Sequence, residues 1–166
     1  MAAKAFELKT SPGHLLRRAQ QYAADLYARE VGADGLTPRQ FAVLYTVEAK
    51  EGLSQTDLVR ETGIDRSTLA DMISRMLKKD LLVRKRTEDD QRANAVKITP
   101  AGRKILKSAL PAVARAEAQI LDVVPASRRN DLLKALTLIA DAAAAMESNG
   151  AEEPAAKKPA KKKKKG

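Results

Sequence analysis

The sequence predicts a mainly α-helical protein with one small β-hairpin, and three observations carry that expectation. Apolar residues recur at spacings of three and four through most of residues 11–146, the period of one helix face. Helix start and stop signals punctuate this stretch, with Ser or Thr placed before Pro and Gly placed after apolar runs. The period changes once, over residues 81–99, to the composition of paired strands.

Ser11 followed by Pro12 marks the start of a first helix, with Ser as cap and Pro in the first helical position. Its apolar positions are Leu15, Leu16, Ala19, Tyr22, Ala23, Leu26 and Tyr27, and the stretch from Gly32 to Gly35 ends it. Thr37 caps a second helix, with Gln40 three residues on; Phe41, Val43, Leu44 and Val47 are its candidate core, and Gly52 stops it. Ser54 and Asp57 form a capping-box start for a short third helix, closed by Gly63. Asp65 caps a fourth helix with an apolar stripe of Leu69, Met72, Ile73, Met76 and Leu77. Its opposite side offers Ser67, Thr68, Asp71, Ser74, Arg75 and Lys78. Two helices joined by a turn containing Gly, the second polar and basic outside, form a helix-turn-helix pattern.

Residues 81–86 and 93–99 read as strands, with the polar tip 87–92 between them, so the hairpin is a wing beside the helix pair. Thr99 and Pro100 start a fifth helix running towards Val124 with Ile105, Leu106, Leu110, Val113, Ile120 and Leu121 on it. Pro111 lies inside and should kink it or interrupt one hydrogen bond. Pro125 opens a last helix with a stripe of Leu132, Leu133, Leu136, Ile139, Ala140 and Ala143. Residues 147–166 have no apolar pattern and are expected to be a disordered Lys-rich tail. The expected division is an N-terminal arm at 1–10, a helical dimerisation region at 11–36 and 99–146, a winged helix-turn-helix lobe at 37–98, and the tail.

The formal net charge is +10, of which seven Lys and two Glu in residues 151–166 supply half. The remaining chain is therefore basic in its own right. Arg66, Arg75, Lys78, Lys79, Arg84, Lys85, Arg86 and Arg92 crowd the fourth helix and the wing, an electrostatic footprint of phosphate binding. Double-stranded DNA is the expected partner.

The chain has no Cys, so neither a disulfide nor a thiolate metal site is available. One His, no glycine-rich phosphate loop and no H-E-x-x-H leave no constellation for nucleophilic or metal chemistry. No enzyme activity, cofactor or metal is expected. No apolar run approaches a membrane span, and residues 1–10 lack a signal-peptide core, so the expected location is the cytoplasm.

The last two helices are apolar beyond a narrow seam, and pairing with a second copy would cover them. The alternative is a helical bundle within one chain. A two-fold dimer is expected, because it presents two recognition helices to a symmetric site. The alternative to a sequence-specific regulator is an architectural DNA binder, which the lysine tail suggests.

The order of elements and four stretches resemble the MarR (multiple-antibiotic-resistance regulator) family: L-T-P-R-Q-F-A-V-L at 36–44, D-R-S-T-L-A-D-M-I-S-R-M at 65–76, D-Q-R at 90–92 and K-I-T-P-A-G-R at 97–103. The resemblance implies a homodimeric regulator, usually a repressor, released by a small aromatic molecule in a cleft between dimerisation and DNA-binding regions. It implies that Arg92 is the wing arginine entering the minor groove, where negative potential is concentrated, and that Asp90 steadies it. It puts Arg66, Ser67, Thr68, Asp71, Ser74, Arg75 and Lys78 on the major-groove helix, with Arg84 and Arg86 on the wing. Asp71 either faces the duplex or pairs with Arg75 at i,i+4 and orients it.

The stretch S-P-G-H-L-L-R-R-A-Q-Q at 11–21 is similar to a branch responding to aromatic acids and aryl-CoA thioesters, including hydroxycinnamoyl-CoA. That likeness implies that His14, Arg17 and Arg18 meet polar parts of an effector, with Tyr22, Phe41 and Tyr45 as apolar walls. Without the resemblance, His14 reads as a capping or surface residue and the aromatics as core.

Overall fold

The structure, a computed structural model, describes residues 6–50, 52–87 and 90–150; the side chains at 85–87, 90–94 and 147–150 lie outside that description. The chain forms two compact units, Met1–Arg129 and Asn130–Gly166. After a single 3-10 turn at Leu8–Thr10 come helices α1 (Pro12–Val31), α2 (Pro38–Ala49), α3 (Gln55–Thr62) and α4 (Arg66–Lys78). Strands β1 (Leu82–Thr87) and β2 (Asp90–Ile98) follow, then α5 (Pro100–Asp122) and α6 (Ala126–Gly150). The expected class, mainly α with a small β-wing, holds.

The helix starts follow from local hydrogen bonding. Thr37 with Gln40, and Ser54 with Asp57, each form a complete reciprocal capping box, satisfying N–H groups that a helix start otherwise leaves orphaned. Asp65 accepts from the Thr68 N–H, and Thr99 from the Gly102 N–H. Ser11 departs from the expectation: it occupies the cap position of α1, but its side chain makes no capping bond. There Pro12 needs no N–H partner and its ring already sets a helical φ.

The core of the first unit gathers Leu44 from α2, Leu58 from α3, Leu69, Ile73 and Met76 from α4, and Leu82 and Val96 from the strands, all essentially inaccessible. Each such side chain contributes about 1.5–3 kcal/mol on leaving water. The α1 stripe divides. Leu26 and Tyr27 are buried, with the Tyr27 hydroxyl donating to the Leu36 carbonyl at 2.9 Å, whereas Leu15, Leu16 and Tyr22 are exposed.

The hairpin is longer than expected. β2 begins at Asp90 rather than 93, so Asp90, Gln91 and Arg92 belong to a strand, and Thr87 pairs with Asp90 across a register irregularity. Asn94–Ile98 pair in order with Arg86 back to Leu82, so Gln91, Arg92 and Ala93 fall in the irregularity between the two pairings, a β-bulge that polarity alone reads as a loop. Thr99 caps α5, as its place before Pro100 predicts, and β2 ends one residue earlier than expected, at Ile98. Leu53 adds an antiparallel bridge to Val96. α5 ends at Asp122 rather than 124 and continues through Pro111, which lacks the N–H for one ladder bond. α6 runs to Gly150, past the expected boundary at 146, because no proline intervenes to stop it. In the second unit Leu133, Leu136, Leu138 and Ile139 of α6 are all exposed.

Candidate nucleic-acid interface and effector recesses

α4 separates its chemistry by face. Leu69, Met72, Ile73 and Met76 point into the core, while Arg66, Ser67, Asp71, Ser74, Arg75 and Lys78 are exposed and Thr68 is half-buried. The 3.6-residue period turns one sequence into a buried anchor and a polar reading surface. Arg84 is exposed on β1, at the register position opposite Val96. Arg86, Asp90 and Arg92 are strand residues whose side chains lie outside the described residues. Glu88, Asp89 and the lysines of 157–165 also lie outside them.

Hydrogen bonding already orders part of this surface. Asp71 and Arg75 form an ion pair one helical turn apart, the second of the two arrangements open to Asp71. The Ser67 hydroxyl donates to Asp65 Oδ1 at 2.7 Å, beside the Thr68 N–H at 2.9 Å. Hydrogen bonds from Thr68, then Ser67, with a weaker influence from the Arg39 charge, hold the Asp65 carboxyl at about 2. Asp65 therefore remains a charged cap at any physiological pH.

Arg39 does not stand out in the sequence, where L-T-P-R-Q signals only a helix cap. Its first-turn position on α2 adds an exposed cation near the start of α4.

The residues expected to meet an effector fall into two groups. His14, Arg17, Arg18 and Tyr22, with Gln21 and Asp25, line an open recess of about 470 Å³ along α1. Arg17 Nη2 lies 3.4 Å from His14 Nδ1. Phe41 and Tyr45 stack on each other on α2, with centroids 5.8 Å apart, and do not line that recess. A second recess of about 640 Å³ lies between the α1–α2 turn, Lys79, Leu81 and α5.

The direction of α1 against α5 explains the separation. Val31 and Ala112 share the larger recess, Glu30 accepts from Arg115 at 2.8 Å and from Gln119 at 2.7 Å, and Tyr27 feels the charge of Glu117. Rising numbers on α1 thus meet falling numbers on α5, so the helices are antiparallel. Hydrogen bonds from Arg115 and Gln119 lower the Glu30 pKa, while burial, then Glu117, raises that of Tyr27. His14 lies sixteen residues before Glu30 on one helix, or roughly 24 Å at 1.5 Å per residue.

A capped helix pair, a basic outer face on its second helix and a two-stranded hairpin define a winged helix-turn-helix protein. The MarR family model matches residues 34–93. Transcriptional regulator HosA of Escherichia coli O157:H7 is 32% identical over 104 residues, covering 63% of this chain and 76% of that protein. The structure of the PcaV transcriptional regulator from Streptomyces coelicolor, in complex with its natural ligand, is similar with a TM-score of 0.78 at 32% identity, over 85% of this chain and 99% of that one. The transcriptional repressor CouR bound to a 23-mer DNA duplex is similar at TM-score 0.74 and 32% identity, over 84% of this chain and 99% of that one. CouR bound to p-coumaroyl-CoA is similar at TM-score 0.73 and 31% identity, over 82% and 96%. The chain belongs to the MarR family and is a transcriptional regulator. Among the described residues no helix is long and apolar enough to cross a membrane.

Proposed function

We propose that this chain is a cytoplasmic repressor that binds a palindromic DNA operator as a homodimer and is released by a small aromatic effector. The observation that carries the DNA reading is the division of α4 into a buried stripe and an exposed row containing Arg66, Ser67, Asp71, Ser74, Arg75 and Lys78. Such a row supplies hydrogen bonds to base edges and cations to phosphates, and Arg75 is the side chain suited to two acceptors on guanine. Arg84, Arg86 and Arg92 give the wing segment a positive charge of its own, with Asp90 beside them in sequence. The likeness to CouR, solved with DNA, supports this reading.

The effector class we favour is an aryl-CoA thioester such as a hydroxycinnamoyl-CoA, supported by the likeness to CouR solved with p-coumaroyl-CoA. His14, Arg17 and Arg18 supply polar contacts, and Tyr22, Phe41 and Tyr45 supply the apolar wall. Because α1 runs antiparallel to α5, its first half projects beyond the α5 residues that cover its second half. In a dimer that half, with its exposed Leu15, Leu16 and Tyr22, would rest on the other copy. Each effector site would then take His14 and Arg17 from one copy and Phe41 and Tyr45 from the other. An effector acts by favouring a spacing of the two lobes that does not fit the operator, since equal affinity for both spacings would shift nothing.

The test has two stages. An operator is selected from random duplexes, and its affinity is compared with that of a scrambled duplex at physiological salt. A specific regulator prefers its site by about 10³-fold or more, whereas an architectural binder, the reading favoured by the lysine tail, treats the two alike. Calorimetry with p-coumaroyl-CoA, p-coumarate and CoA then identifies the effector class. Tight thioester binding that leaves operator affinity unchanged would overturn the induction model.

A further inference from the structure

We infer that Thr99 and Gly102 are positioning residues that lock the recognition helix and the wing into one rigid reading head; this rests on the DNA-binding reading above. α4 ends in a tight left-handed turn. Asp80 has φ +54°, its N–H donates to the Leu77 carbonyl, and the Leu81 N–H reaches back to the Met76 carbonyl at 2.9 Å. That pair of bonds is a Schellman closure with Asp in the position usually held by glycine. The chain enters β1 directly from this turn, so the angle between helix and wing is set within three residues.

The other end of the hairpin grips the same turn. The Thr99 N–H donates to the Leu81 carbonyl at 3.1 Å, and its hydroxyl donates to the Asp80 carbonyl at 2.6 Å while accepting from the Gly102 N–H at 3.0 Å. Among the described residues of this unit Thr99 is the buried polar one, and its N–H and hydroxyl both serve the joint. Gly102 is required for the approach, because a Cβ there would lie 2.2 Å from the Leu81 carbonyl oxygen. Helix end, both strand ends and the start of α5 therefore meet in one hydrogen-bonded knot.

The consequence is energetic coupling between two DNA-contacting elements. A two-stranded hairpin is floppy on its own. Held by this knot, the wing reaches DNA at a set distance and angle from α4, so docking the helix also docks the wing. Without the knot, the wing must be oriented anew on each encounter and contributes less. Thr99 and Gly102 contact no DNA themselves; they act through Arg92 and its neighbours.

The test is a double-mutant cycle on operator binding, with a scrambled duplex of equal length as control and circular dichroism to confirm folding. Thr99→Val removes the hydroxyl at nearly constant shape, and Thr99→Ser retains it. Thr99→Val is expected to lower operator affinity roughly tenfold in the parent and hardly at all in an Arg92→Ala background, with Thr99→Ser restoring the parent value. Gly102→Ala displaces the Leu81 carbonyl instead of removing a hydroxyl, and gives the same coupled loss should Thr99→Val fold poorly. Equal losses in both backgrounds, with Arg92→Ala itself costly, would overturn the latch and leave the wing reading intact. An Arg92→Ala protein with parental affinity would overturn both.

Discussion

The two faces of α4 should be separable by mutation. Leu69 is fully inaccessible in the core, and truncation to Ala leaves a hole that its neighbours only partly fill. Such substitutions cost about 2.7–5 kcal/mol, a large part of the roughly 5–15 kcal/mol that holds a domain folded. At about 2–4 °C per kcal/mol the melting point should drop by about 10 °C. Arg75, on the opposite face, has a side chain 67% exposed and paired with Asp71. Its replacement by Ala removes an exposed pair worth about 0.3–0.5 kcal/mol and inserts a better helix former, so the melting point should barely move. Operator preference should nonetheless relax at one base position by about 1–3 kcal/mol. Thermal and urea unfolding at constant protein concentration, with binding isotherms on single-base operator variants well below the melting point, measure both effects. A Leu69→Ala protein within about 1 kcal/mol of its parent, or an Arg75→Ala protein destabilised by more than about 2 kcal/mol, would refute the division of faces.

Other expectations are simpler. The Asp65 carboxyl, ordinarily near 3.8, is held at about 2, and Ser54 holds Asp57 lower than usual as well. Depressed carboxylates stabilise fully above their ordinary range and lose that contribution as pH falls through the folded value, so urea midpoints should decline between about pH 4 and 2. Asp65→Asn should shrink that decline, and an unchanged pH profile would count against the cap. Glu48 accepts from Arg103 Nε at 2.9 and 3.0 Å, tying α2 to α5. Glu48→Arg should destabilise by up to about 1 kcal/mol and Arg103→Glu in the same chain should recover part of it; failure of the swap to recover anything would show that charge is not the link. Asp80→Val, a β-branched residue at φ +54°, should cost about 1–2 kcal/mol while Asp80→Gly is tolerated, as chemical denaturation would report. Deleting 151–166 should weaken operator and scrambled duplex equally, with a salt slope shallower by about 0.9 for each phosphate the tail neutralises; parallel slopes would show a passive tail.

Most of the lobe was legible in the sequence because its determinants are local. Thr37 with Gln40, Ser54 with Asp57, and Asp65 with Thr68 are hydrogen-bonding pairs three residues apart, and all three formed. The α4 stripe was legible for the same reason, since one helical period sorts it. Non-local features were not. Nothing at Asp80 signals a left-handed helix end, because glycine is the usual sign. The Thr99 contact to Asp80 spans nineteen residues, and the bridge from Leu53 to Val96 spans more. The wing's first return residues have the polarity of a loop, and composition cannot register a ladder. In the effector reading, His14, Arg17, Arg18 and Tyr22 come together in one recess, whereas Phe41 and Tyr45 stand apart from them on α2. One chain's periodicity carries no information about which surfaces a second copy would bring together.

The bridge from Leu53 to Val96 also bears on the order in which the molecule assembles. α2, α3 and α4 are consecutive and close short loops, so their packing can nucleate early. The Val96 N–H that donates to the Leu53 carbonyl at 3.1 Å must first close a long stretch of chain, and loop entropy delays such pairings. Leu53 also packs its half-buried side chain on the core beside that bond. Leu53→Ala, which removes this packing and keeps the backbone bond, should therefore accelerate unfolding and leave refolding nearly unchanged, while Leu58→Ala in the helix cluster should slow refolding. Stopped-flow chevrons for the two variants would expose the sequence, and a slower refolding limb for Leu53→Ala would place the wing in the nucleus instead.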